Sequence, residues 1–110
     1  MANTIPPALP EPIRAAIAEF DDYRASKRDF GTCDTEPDGV FHYVIRQAYE
    51  RKPFPINLNA DRWEIFDGPG ADAVADGLND RARKVYDAIL KHATSDDKPA
   101  LAGYAWRVRF

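Results

Sequence analysis

Apolar residues recur along this chain with two different periods, and the change of period divides it. Between residues 71 and 93, Val74, Leu78, Ala82, Val85, Ile89 and Ala93 follow one another at steps of three and four. That is the stripe of an amphipathic helix. From residue 101 the step becomes two: Tyr104, Trp106, Val108 and Phe110 alternate with Ala105, Arg107 and Arg109. Read this way, four large apolar side chains share one face of a C-terminal strand.

Earlier in the chain the helical period appears twice more. Pro12 stands where a first turn accepts proline, and Ile13, Ala16, Ile17 and Phe20 form a stripe against the polar Glu19, Asp21, Asp22, Arg24, Lys27 and Arg28, with Gly31 as a stop. Residues 40–45 have the composition of a strand. However, the pairs Val40/Phe41, Val44/Ile45 and Ala48/Tyr49 repeat every four residues, which predicts a second helix over 37–51, with Thr35 as its cap and Pro53 beyond its end.

Residues 53–67 read differently. Phe54, Ile56 and Leu58 alternate with Pro55 and Asn57, a turn signal follows at Asn59-Ala60-Asp61, and residues 62–67 are again apolar-rich. A hairpin is the simplest account; the rival is a short helix capped by Asn59 and stopped by Gly68-Pro69. Gly68-Pro69-Gly70 breaks the chain under either reading, and Gly77 lowers the propensity of the long helix by ~1 kcal/mol relative to alanine. The expected fold is therefore α+β: two N-terminal helices, a β-hairpin, one long helix and a C-terminal strand that closes a small, mainly antiparallel sheet. Residues 1–10, with Pro6, Pro7 and Pro10, read as a flexible proline-rich arm, and 11–110 as a single domain.

Composition narrows the setting. A chain of 110 residues, 45% hydrophobic, can bury a core without staples, and its one cysteine, Cys33, suits a reducing compartment, so a cytoplasmic location is expected. No stretch approaches the ~18 consecutive apolar residues of a membrane span. The net charge of -3 is too small to imply a polyanion partner by bulk attraction.

Candidate chemistry is sparse. Asp34, Glu36, Asp38 and Gly39 match the opening of a calcium loop, but its twelfth position, which needs a bidentate carboxylate, holds Ile45. Cys33 sits among acids that disfavour its thiolate. His42 and His92 lack metal-ligand spacing to each other or to Cys33. Accordingly no catalytic residue, metal or cofactor is expected.

Local charge is more informative. Residues 61–80 carry six acids against the single base Arg62, whereas residues 81–110 carry seven bases against Asp87, Asp96 and Asp97. Asp72, Asp76 and Asp80 stand at i, i+4 and i+8, an acidic ridge on one helical face. Arg81, Arg83, Lys84, Arg107 and Arg109 form the basic counterpart. Acids at a helix start and bases at its end also complement the macrodipole, with Asp80–Lys84 and Asp87–Lys91 as expected i,i+4 pairs.

The expectation is a small non-enzymatic regulatory or inhibitory protein that binds another macromolecule, a protein first of all, through these eight residues, as a monomer or homodimer. The alternative is a nucleic-acid-binding regulator that uses the basic C-terminal third. An enzyme built around His42 or Cys33 is the third option.

Overall fold

The computed structural model describes residues 5–27, 38–56, 58–59, 62–63, 65 and 69–107, with side chains throughout except at 38, 39 and 103–107. Its elements are α1 (Glu11–Ser26), α2 (Asp38–Tyr49), α3 (Ala71–His92), a 3-10 turn (Ser95–Asp97) and α4 (Lys98–Arg107). Among the described residues there is no strand, so the expected α+β class is corrected to an all-α arrangement. The longest helix, α3, packs against both α1 and α2, and α4 lies on α2.

The stripes read from the sequence are the faces that meet. Ile13, Ile17 and Phe20 from α1, Val40, Phe41, Val44, Ile45 and Ala48 from α2, and Val74, Leu78, Ala82, Val85 and Ile89 from α3 are buried in one cluster. Phe20 and Phe41 stack with ring centroids 4.1 Å apart, and Trp63, only 1% exposed, tilts against Phe20 at 5.7 Å. Burial extends to Leu9, whose carbonyl accepts from Arg14 Nε at 3.0 Å; Pro10 then supplies the carbonyl for the first two bonds of α1, from the Ile13 and Arg14 amides.

The hairpin expected over 53–67 is absent from the described part of that segment. Its alternation does not define a face: Leu58 is buried, Phe54 is half-buried and Ile56 is 77% exposed. Pro53 and Pro55 also remove two amides that a ladder would need. The start of the segment is instead fastened to the helices. Gln47 Nε2 donates to the Pro53 carbonyl at 3.1 Å, and the Tyr86 hydroxyl donates to the Lys52 carbonyl. The rival reading was nearer at one point, since Asn59 Oδ1 accepts from the Arg62 amide and the Asn59 carbonyl from the Trp63 amide, the bonds of one capped helical turn.

The C-terminal strand is corrected as well, because residues 98–107 form α4. Thr94-Ser95-Asp96-Asp97, read from sequence as a loop, is a capping box: the Thr94 hydroxyl accepts from the Asp96 amide, and Asp97 Oδ2 accepts from the Thr94 amide at 2.8 Å. Pro99 falls in the first turn, where its missing amide costs nothing, and Ala100 and Ala102 favour the helix. Leu101, fully buried, anchors α4 to the core. Trp106 and Arg107 therefore stand on helical backbone, while Val108, Arg109 and Phe110 lie outside the described residues, as do Cys33, Asp34, Thr35 and Glu36.

Candidate functional site

The residues singled out for partner binding lie mainly on α3, and packing sorts them into two groups. Gly70, at φ 86°, sets the entry to the helix in a left-handed conformation suited to glycine. Asp72, Asp76 and Asp80 then fall at steps of four on the side away from the buried stripe, and all three are exposed. None of them has an ion-pair partner among the described residues.

The predicted site bases of α3, Arg81, Arg83 and Lys84, are engaged within the fold. Lys84 Nζ lies 2.9 Å from Glu19 Oε2 on α1, in place of the expected pair with Asp80. Arg81, with its side chain 29% exposed, reaches the same Glu19 oxygen at 3.9 Å, donates to the Gly77 carbonyl at 3.1 Å and lies 3.9 Å over the Tyr23 ring. Arg83 pairs with Asp87 at 3.2 Å and covers Phe54 and Tyr86 at 5.1 and 5.6 Å. That places Asp87 with Arg83 and not with Lys91 as expected. Exposed pairs of this kind are worth roughly 0.2–1 kcal/mol each, yet they fix where the cations sit.

Gly77 explains much of this packing. A Cβ built there would fall 2.0 Å from the Tyr23 hydroxyl oxygen, so Tyr23 keeps this seat against α3 only while residue 77 lacks a side chain. With Tyr23 seated against Gly77, Arg81 can lie flat on the ring from the next turn, where a cation–π contact contributes ~0.5–1 kcal/mol. Glu19 and Tyr23 escaped the sequence reading because their role depends on how α1 crosses α3. The period shows which face of each helix is buried and leaves the crossing undefined.

Asn79, which the sequence offers only as a restart of the helix after Gly77, has a different role. From the flank of α3 its Oδ1 accepts from Trp63 Nε1 at 2.7 Å and its Nδ2 donates to the Leu58 carbonyl at 2.6 Å. Both polar ends of the amide are thus used to hold Leu58 and Trp63 against the helix. The ridge of Asp72, Asp76 and Asp80 is carried by a helix whose opposite face and flank are fixed in this way.

Of the remaining candidates, Arg107 stands at the last position of α4 and Arg109 lies outside the described residues, so neither is brought beside Arg81, Arg83 and Lys84 by anything described. Among the described residues no group of three or more His, Cys, Asp or Glu side chains could hold a metal ion, and no helix is long and apolar enough to cross a membrane. No protein-family model matches the chain, and no curated protein or solved structure matches it.

Proposed function

We propose that this protein is a small non-enzymatic regulatory or inhibitory protein that binds a basic protein partner through the ridge Asp72, Asp76 and Asp80. The observation that supports this reading is the asymmetry of α3. Arg81, Arg83 and Lys84 are drawn into contacts with Glu19, Asp87 and aromatic rings, whereas among the described residues three exposed carboxylates at helical spacing have no cation paired with them. Neighbouring like charges at i,i+4 destabilise a helix by a few tenths of a kcal/mol, a cost that a cationic partner would reverse on docking. The single cysteine suits action in the cytosol.

The test is affinity purification from the native host, followed by a binding titration of the identified partner with the Asp72→Asn, Asp76→Asn, Asp80→Asn triple variant. Because these are exposed positions, the variant should melt within about half a kcal/mol of the parent. Binding should weaken at least tenfold, and the parent's affinity should fall with added salt. Unchanged affinity in the triple variant removes the ridge from the function. Steeply salt-dependent binding of duplex or single-stranded DNA would favour nucleic-acid recognition instead.

A further inference from the structure

Where α2 and α3 end and α4 begins, the chain encloses a cleft of about 530 Å³, within the roughly 300–1,000 Å³ range of small-molecule sites. Ala48, Ile89 and Ala93 supply apolar lining and Tyr49 an aromatic one. Thr94 and Ser95 contribute hydroxyls, and Arg51, Lys52 and Lys98 face the single acid Glu50. Among the lining residues the surplus is two positive charges, with the Asp97 carboxylate 3.4 Å from Thr94 Oγ1 beside them. None of these residues belongs to the acidic ridge.

Two of the three cations stand where local preference would not put them. Arg51 follows the end of α2 at φ 60°, the left-handed position that usually falls to glycine, and a residue with a Cβ there costs roughly 1–2 kcal/mol. Lys98 is the first residue of α4, at the helix end whose partial positive charge disfavours cations. Arg51 and Lys52, just beyond α2, have places that the helix dipole favours, so the anomaly at Arg51 is its backbone alone. Residues that break local rules without local gain are the ones to suspect of function.

The cations are also held in place with donors unspent. The Lys52 amide donates to the Gln47 carbonyl at 2.8 Å and its carbonyl accepts from Tyr86, which fixes the backbone on both sides. One nitrogen of the Arg51 guanidinium donates to the Leu90 carbonyl at 3.2 Å, leaving the rest of its five N–H donors. Lys52 Nζ has an exposed contact with Glu50 at 3.3 Å, and the Lys98 ammonium lies 5.3 Å from the Tyr49 ring centroid.

We infer that this cleft binds a phosphate monoester of about nucleotide size. The dianionic phosphate would meet Arg51, Lys52 and Lys98 with the Ser95 hydroxyl, the Thr94 hydroxyl being engaged with Asp97, and the organic portion would cover Ala48, Ile89 and Ala93. Two positive charges and several N–H and O–H donors match a group with two negative charges and three terminal oxygens. A phosphate alone would leave most of the cleft empty, so the organic portion contributes to affinity.

The test is an amide NMR titration of the full chain with adenosine 5′-monophosphate, glucose 6-phosphate, inorganic phosphate and citrate. The expected result is saturable shifts at Thr94, Ser95 and Lys98 with at least one of the two esters. That ester should bind about tenfold more tightly than inorganic phosphate or citrate, and affinity should fall about tenfold in both Lys98→Gln and Lys52→Gln. Both substitutions are at exposed positions, and unchanged amide spectra elsewhere verify the fold. No saturable shift with either ester, or equal affinity in the two variants, overturns the inference. Citrate binding as tightly as the esters overturns phosphate as the recognised group, and inorganic phosphate doing so overturns the role of the organic portion.

Discussion

Asn79→Ala tests whether one amide fastens Leu58 and Trp63 to α3. The substitution removes the acceptor for Trp63 Nε1 and the donor for the Leu58 carbonyl, both of which belong to buried residues. A buried polar group left without a partner costs about 1–3 kcal/mol, so two would cost about 2–6 kcal/mol. Alanine returns roughly 0.5–0.7 kcal/mol of helix propensity. Asn79 is half-buried, so water can reach part of the vacated space, and the net loss should fall near 2 kcal/mol. Urea denaturation followed by far-ultraviolet circular dichroism measures it. Trp63→Phe and the double variant complete a cycle in which the coupling between the two sites should be about 0.5–3 kcal/mol. A loss below about 0.5 kcal/mol for Asn79→Ala, or additive single effects, would refute the reasoning and leave Trp63 held by ring packing alone.

Gly77→Ala should destabilise by about 1–3 kcal/mol despite alanine's better propensity, because its Cβ would overlap the Tyr23 hydroxyl; with Tyr23→Ala in the background the same change should become stabilising, as chemical denaturation of the four proteins will show. Leu9→Ala should cost about 2–5 kcal/mol, since Leu9 is only 2% exposed, and deletion of residues 1–10 should lower the melting temperature measured by calorimetry by ten degrees or more, on the order of 4–8 °C per kcal/mol. Leu101→Ala should cost a similar amount, read by urea denaturation, with a loss under about 1 kcal/mol showing that α4 is not anchored by this side chain.

The first three helices were legible because each carries an apolar repeat near 3.6 residues that survives whatever packs on it. For α4 the sequence offered two periods at once. Tyr104, Trp106, Val108 and Phe110 alternate, but Leu101, Tyr104, Ala105 and Val108 are spaced as a helical face. The decisive evidence lay upstream in Thr94, Asp97 and Pro99, a start signal hidden in residues that also make loops. In the 53–59 stretch, alternation misled because Ile56 faces outward without a strand to place it there.

The candidate site was legible in part for the same reason. Exposure of Asp72, Asp76 and Asp80 follows from the stripe opposite them. The capture of Arg81 and Lys84 by Glu19 joins residues far apart in sequence, and no local pattern announces it. Gly77 appeared only as a weakness of α3 because its value lies in the side chain of another helix.

The placement of α4 has a consequence for how the molecule opens. Among the helices it packs chiefly on α2, whereas α3 is gripped by both α1 and α2. Peeling α4 away would expose Leu101 and the surface beneath it and leave the α1–α3 contact standing, so its amides should exchange with solvent deuterium through a partial opening of lower free energy than those of α3. Thr94, Ser95 and Lys98 lie at the start of the segment that would leave. A ligand held between them and Arg51 should therefore slow exchange in α4 while leaving α3 almost unaltered, linking occupancy of the cleft to the integrity of the last helix.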